Sequence, residues 1–180
     1  MRTTNGQFAV VFSLAVTFGA FNQARSQDAD ELFAKNPGQF LEAVVKQLGF
    51  NDPAEPTKIV GPIYFVGTGG LGVWLITTSE GHIVLNTGMP RSGPMIEESI
   101  RKLRFDPKDI KLILTCHGHN DHVGRHKYLQ VLTGAQVALI AEDAELLSTG
   151  GKSDFHYGNL PTYGFDAVKV DRVAPHLPYS

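Results

Sequence analysis

The chain holds one cysteine and one tryptophan among 180 residues, and charged residues make up only 19% of it. Each scarcity bounds the answer. A single thiol, Cys116, excludes an internal disulfide framework. A formal net charge of −2, with no basic run and no interleaving of basic and aromatic residues, argues against nucleic acid or any other polyanion as a partner. There is no internal repeat and no low-complexity tract. The glycine-rich segment Thr68-Gly-Gly-Leu-Gly72 lacks the lysine of a phosphate loop and joins strand to strand, so it reads as a tight hairpin and not a nucleotide site.

Long apolar runs are also missing, except at the start. Arg2 supplies a positive charge, Phe8 to Phe21 is apolar apart from Ser13, Thr17 and Gly19, and Ala24-Arg-Ser26 offers small residues at the −3 and −1 positions of a cleavage site before Gln27. Residues 1–26 therefore read as a secretory signal peptide. An uncleaved anchor is the alternative, but the run is short against the roughly 20 residues of a membrane span. The expected location is secreted, in a bacterium the periplasm, with no membrane association after cleavage. About 150 residues remain, enough for one domain with its own core.

What the chain does have is His117-Gly-His-Asn-Asp-His122. Four potential ligands, His117, His119, Asp121 and His122, stand within six positions. Imidazole nitrogen with carboxylate oxygen suits Zn²⁺ or a similar borderline divalent ion. In an extended segment, residues i and i+2 share a face, so His117 and His119 can grip one ion, while Asp121 and His122 lie past the bend and can face a second. The plainer reading is a polar loop whose histidines bond only backbone. Alternation along the approaching strand turns the Cys116 thiol away from His117, making it a small buried hydrophobe, with an auxiliary metal contact as the lesser alternative.

The surrounding pattern is α/β. Residues 27–36 are polar and expected to be poorly ordered; Gly38 to Leu48 carries Phe40, Leu41, Val44, Val45 and Leu48 on one helical face and is closed by Gly49; Asn51 to Pro56 is a linker. Strands are expected near 59–66, 72–78 and 81–86, then a helix from Ser92-Gly-Pro94 with Ile96, Ile100 and Leu103 inward. Lys111 to Thr115 reads as a buried strand entering the motif, and Arg125 to Leu132 as a helix leaving it, with Tyr128, Leu129 and Leu132 at helical spacing. Gln136 to Ile140 is another strand, Ala141 to Leu147 a short helix, Ser148 to Phe165 a long loop, and Val168-Lys-Val170 the start of a further strand. His82, at a turn, and His126, on the helix after the motif, read as structural, the latter near enough to support a ligand.

Strand, then His-x-His-x-Asp-His-x-Gly, then helix resembles the hallmark of the metallo-β-lactamase superfamily of zinc hydrolases. Ile63 to Thr68, Val73 to Thr77 and His82 to Met89 resemble its opening strands, and Gly150-Gly-Lys-Ser-Asp-Phe-His-Tyr-Gly158 resembles a loop of subclass B3 β-lactamases. The likeness spans residues 56–173, after an N-terminal helix and linker at 27–55; residues 174–180 resemble nothing in the family.

The resemblance implies an αββα sandwich of which mainly the N-terminal half is present. It also implies two zinc ions per complete site and a zinc-bound hydroxide that opens the β-lactam amide. Asp121 would then both ligate and orient the nucleophile, and His156 and Tyr157 would lie on a substrate loop. Other superfamily members act on lactones, thioesters or phosphodiesters. In the family, further histidines complete each ion from the second half of the fold, which lies beyond Val173. A premature stop or frameshift near residue 173 is one expectation, and with it a non-catalytic remnant with an incomplete site. Strand runs apolar on both faces, such as Leu112 to Leu114, predict self-association through an uncovered sheet face.

Overall fold

In the computed structural model, residues 27–174 are described, so the signal-peptide reading of residues 1–26 and the tail from Pro175, His176 included, lie outside the described residues. The chain divides into two compact units, Met1–Ala43 and Val44–Ser180. In the first, residues 27–35 form helix α1, where a poorly ordered segment was expected. Good helix formers and an i,i+4 pair, Glu31 with Lys35, account for it. Helix α2, Pro37–Gln47, starts where the sequence signals it: Pro37 opens the helix and the Asn36 side chain accepts from the Gln39 backbone N–H at 3.1 Å. Gly49, at φ 67°, closes it.

The second unit is one mixed sheet of seven strands, paired in chain order. Strands β1 (Thr57–Val60), β2 (Ile63–Phe65), β3 (Trp74–Ile76) and β4 (His82–Leu85) are antiparallel neighbours; β5 (Ile110–Leu114), β6 (Gln136–Ile140) and β7 (Arg172–Ala174) continue in parallel. Helices make the parallel crossovers: α3 (Gly93–Lys102) between β4 and β5, α4 (Asn120–Val123) and α5 (His126–Thr133) between β5 and β6, and α6 (Ala141–Thr149) before β7. Where one strand was expected at 59–66 there are two, because Gly61, at φ 51°, and Pro62 turn the chain between them.

The final strand also differs from expectation. Val168 and Val170 are not in a ladder: Val168 is buried in the core and Val170 packs against it, so their alternation reports burial without pairing. The strand begins only after Asp171, whose backbone N–H donates to the Val137 carbonyl at 2.9 Å and whose carboxylate accepts from the Val137 N–H at 3.1 Å. It therefore includes Ala174, one residue into the segment that matched nothing.

Two faces of the sheet carry different fates. The register aligns Tyr64, Leu75, Val84, Ile113 and Val137 in one row, and that row packs on Ile96 and Ile100 of α3, Leu129 of α5 and Leu147 of α6. On the other face the register aligns Phe65, Trp74, Leu85, Leu114 and Ala138, and beside them Ile63, Ile76, Ile83 and Leu112. These nine residues are as apolar as the core, yet none is buried.

Candidate metal centre

The loop that carries the histidines is held at the carboxyl ends of two parallel strands, where open α/β sheets place their sites. Strand β5 stops at Leu114 because Asn86, just past β4, takes over its hydrogen bonding. With φ 65°, the Asn86 backbone N–H donates to the Leu114 carbonyl at 2.8 Å, while its side-chain oxygen accepts from the Cys116 N–H at 3.1 Å. Thr87 continues the clamp: its N–H donates to the His122 carbonyl at 2.7 Å and its hydroxyl accepts from the Arg125 N–H at 3.1 Å. His119 caps α4, its carbonyl accepting from the N–H groups of His122 and Val123, each at 2.9 Å.

The four candidate ligands gather at that clamp. The His117 and His119 rings lie edge to face at 5.0 Å between centroids, and the His117 and His122 rings are tilted by 49° with centroids 4.0 Å apart. Asp121 Oδ2 is 3.4 Å from His122 Nε2. Strand alternation is not what brings them together, because the backbone bends at Cys116 and His117 and no strand runs past Leu114. His117 is in fact nearer His122 than His119.

The same bend corrects the reading of Cys116. Its side chain is exposed, not buried, and Sγ lies 3.5 Å from His117 Nδ1 and 3.2 Å from His122 Nδ1. Alternation predicts a thiol turned away, but it applies only inside a strand, and this residue is two positions beyond one. Donor atoms of Cys116, His117 and His122 all fall within 4.8 Å of one another.

Electrostatics suit a cation. Burial lowers the pKa of His117, and its neighbours His122 and His119 lower it further, so its ring nitrogens favour the unprotonated form a metal requires. Burial alone would raise the Asp121 pKa, but the His122 hydrogen bond and charge outweigh it and hold the carboxyl below its ordinary value.

Asp154, in the loop after α6, was not among the residues singled out from sequence. Its Oδ2 sits 3.1 Å from His119 Nε2, and its Oδ1 accepts from the backbone N–H groups of His156 and Tyr157, each at 2.7 Å. Burial pushes its pKa up, but these backbone bonds and His119 bring it below the usual carboxylate value. A carboxylate on one ring nitrogen of a histidine orients the ring and leaves Nδ1 for a metal. Only its place inside the Gly150–Gly158 loop could have flagged it.

Of the expected substrate loop, Tyr157 reaches the motif: its ring meets His119 edge to face at 5.5 Å and stacks on Tyr163 at 4.6 Å. His156 is exposed and packs edge to face on Tyr157 at 4.6 Å. A cavity of about 540 Å³ opens beside this loop, lined by Arg125, Tyr157, Leu160 and Phe165 among others, and by none of the four candidate ligands. His82 begins β4 with its ring edge-on to Phe105 at 5.3 Å; His126 is fully buried, its Nδ1 at 2.8 Å from the Thr87 hydroxyl.

The glycines inside the motif have identifiable causes. A Cβ on Gly118 would meet Leu146 at 2.8 Å and Leu147 at 3.1 Å, so α6 packs directly on the loop. At Gly124 the obstacles are all backbone: the Asn120 oxygen and Pro90 nitrogen at 2.5 Å and the Met89 carbonyl carbon at 2.6 Å. Gly124→Ala should therefore destabilise by roughly 1–3 kcal/mol, near the upper end because no flexible side chain can yield. Urea unfolding measures this, and an unchanged midpoint would refute the close approach.

With this geometry established, comparison with known proteins places the chain. The family model of the metallo-beta-lactamase superfamily matches residues 69–175. The chain belongs to that superfamily. Among solved structures it is similar to subclass B3 enzymes. BJP-1 from Bradyrhizobium japonicum, described as a subclass B3 metallo-β-lactamase, is 40% identical with a TM-score of 0.66, over 70% of this chain and 47% of that one. The native FEZ-1 metallo-β-lactamase from Legionella gormanii is 38% identical with a TM-score of 0.67, over 69% and 47%. The class B3 di-zinc enzyme LRA-12 from an Alaskan soil metagenome is 34% identical with a TM-score of 0.67, over 71% and 48%. The chain thus spans just under half the length of the solved structures it matches. By resemblance it is a hydrolase-type fold, and the seven-stranded sheet with α3, α5 and α6 packed on it corresponds to part of the superfamily fold.

Proposed function

We propose that this chain is the zinc-binding part of a B3-type metallo-β-lactamase that is exported to the periplasm and opens the amide of a β-lactam. The observation that carries the reading is the cluster of His117, His119, Asp121 and His122, clamped by Asn86 and Thr87 at the ends of β4 and β5. The donor set fits zinc: three imidazoles and a carboxylate, with His117 biased to its neutral form and Asp121 to its charged form. His117 and His119 would hold one ion and Asp121 and His122 a second. Zinc, when bound, supplies Lewis acidity and a water acidic enough to ionise near neutral pH.

The chain's own residues have separate tasks. Asp154 fixes the His119 ring through Nε2, leaving Nδ1 for the metal. Asp121, kept ionised by His122, can accept a hydrogen bond from the attacking water and orient it. Tyr157, braced by Tyr163, forms a wall against His119 where the substrate would lie. A catalytic zinc ordinarily takes three protein ligands, and the four residues supply two for each ion. Turnover therefore depends on donors beyond these four. A second copy of the chain, docked on the apolar sheet face, is the partner this reading favours besides the small-molecule substrate.

The test is zinc binding and hydrolysis on the purified chain at saturating zinc, against His117→Ala/His119→Ala. Two ions should bind, and the double variant should lose affinity by more than about 100-fold, since even indirect partners of a ligand are worth 10–100-fold. A chromogenic cephalosporin, a lactone and a thioester assayed together identify the substrate class. Preference for the lactone or thioester would overturn the β-lactam assignment, and binding unchanged in the double variant would overturn the site.

A further inference from the structure

We propose that the first metal ion this chain takes up is held by Cys116, His117 and His122, a thiolate–imidazole site that competes with the two-ion arrangement for two of its histidines. His117 with His119, or Asp121 with His122, offers an ion two donors, whereas Cys116, His117 and His122 offer three, and they are the group of three metal-binding side chains that converges among the described residues. A zinc ion with one sulfur at about 2.3 Å and one nitrogen at about 2.05 Å in tetrahedral geometry sets those two atoms roughly 3.5 Å apart. The Sγ to Nδ1 separations are 3.5 Å to His117 and 3.2 Å to His122, which is the edge of such a tetrahedron to within a few tenths of an ångström.

Ligand softness points the same way. A thiolate with two imidazoles favours zinc, cobalt or another thiophilic borderline ion over magnesium or calcium. As the sulfur–metal bond forms, the Cys116 thiol releases its proton to solvent, and water fills the fourth position. The clamp already described positions the group: Asn86 bonds the Cys116 backbone N–H and Thr87 the His122 carbonyl, so the sulfur and the second histidine are fixed from the same turn. The inference leans on the zinc-hydrolase reading only for which histidines the two arrangements share.

The chain offers a direct probe, because Cys116 is its one thiol and its side chain is exposed. One equivalent of Zn²⁺ added to the full chain should slow the reaction of that thiol with Ellman's reagent by on the order of tenfold or more, and EDTA should restore it. The protection should vanish in His122→Ala and persist in His119→Ala, since His119 is outside the set. Co²⁺ should give a sulfur-to-cobalt charge-transfer band in the near ultraviolet that is absent from Cys116→Ser. Zinc bound at one equivalent with the thiol fully reactive would overturn the proposal while leaving the two-ion reading intact. Protection lost in His119→Ala as well would also overturn it, and no zinc bound at all would defeat both.

Discussion

Lowering the pH of the metal-free protein below 6.5 should weaken the fold by about 1.4 kcal/mol per pH unit, and His126 is the cause. This imidazole is fully buried on α5, and burial pushes its pKa from 6.5 down to about 3. Its Nδ1 is satisfied by the Thr87 hydroxyl at 2.8 Å, but Nε2 is buried without a partner, so nothing compensates a positive charge there. The unfolded chain takes up a proton at 6.5 that the folded chain refuses until about 3. Stability is therefore flat above 6.5, falls through that window, and levels off below it.

Summed over the window, the loss is on the order of 4–5 kcal/mol, a large share of an ordinary domain's stability of about 5–15 kcal/mol. His117, also lowered by burial, acts in the same direction with a smaller weight because it is half exposed. Asp121, Asp154 and Asp171 act in a separate range: their depressed values mean their contribution is lost only as the pH falls below about 3.8. Urea titrations at pH 7 and 4.5 should differ by about 2–3 kcal/mol in the wild type. In His126→Asn, which keeps an amide for the Thr87 hydroxyl and has no proton to gain, the difference should largely disappear. Equal losses in both proteins would remove His126 from the account.

Leu112 and Ile113 are neighbours in β5 and should respond to substitution in opposite ways. Ile113→Ala opens a cavity among Val84, Val137 and the helices and should cost about 2–5 kcal/mol. Leu112→Lys touches no core residue. It places a charge in the apolar row with Ile83 and Ile76, on the face opposite the one packed by α3, α5 and α6. That change should cost about 1 kcal/mol or less in fold stability and, on the proposal that the chain self-associates through this face, should leave it a monomer. Nine apolar, partly exposed side chains on one sheet face form a patch of the kind that drives association. Light scattering behind a sizing column reads both outcomes. A wild-type monomer over a wide concentration range would refute association through this face.

Much of this was legible beforehand, and the reasons differ by element. The gathering of the four candidate donors could be read because they are close in sequence, and the strands flanking them because their apolar runs are short and bounded by turn residues. Asp154 could not be read, because it meets His119 across 35 positions and no periodicity links a loop aspartate to a distant ring. Cys116 was misplaced because a strand rule was carried two residues past the end of the strand. The hairpin at Gly61 was missed because a glycine and a proline inside an apolar run turn the chain there, and the late start of β7 because alternation records which side chains are buried, and burial does not require a ladder partner. Strand β5 was foreseen as apolar on both faces, since Leu112 and Ile113 read alike as letters whichever face they occupy.

The order of the sheet has a consequence for how this chain comes into being. Each strand from β2 to β7 hydrogen-bonds to the strand made just before it. A ribosome releases residues in that same order, so each of these strands emerges after the strand it pairs with. The sheet is laid down by accretion, with loop closures confined to the nearest crossover and the entropy of bringing distant segments together kept small.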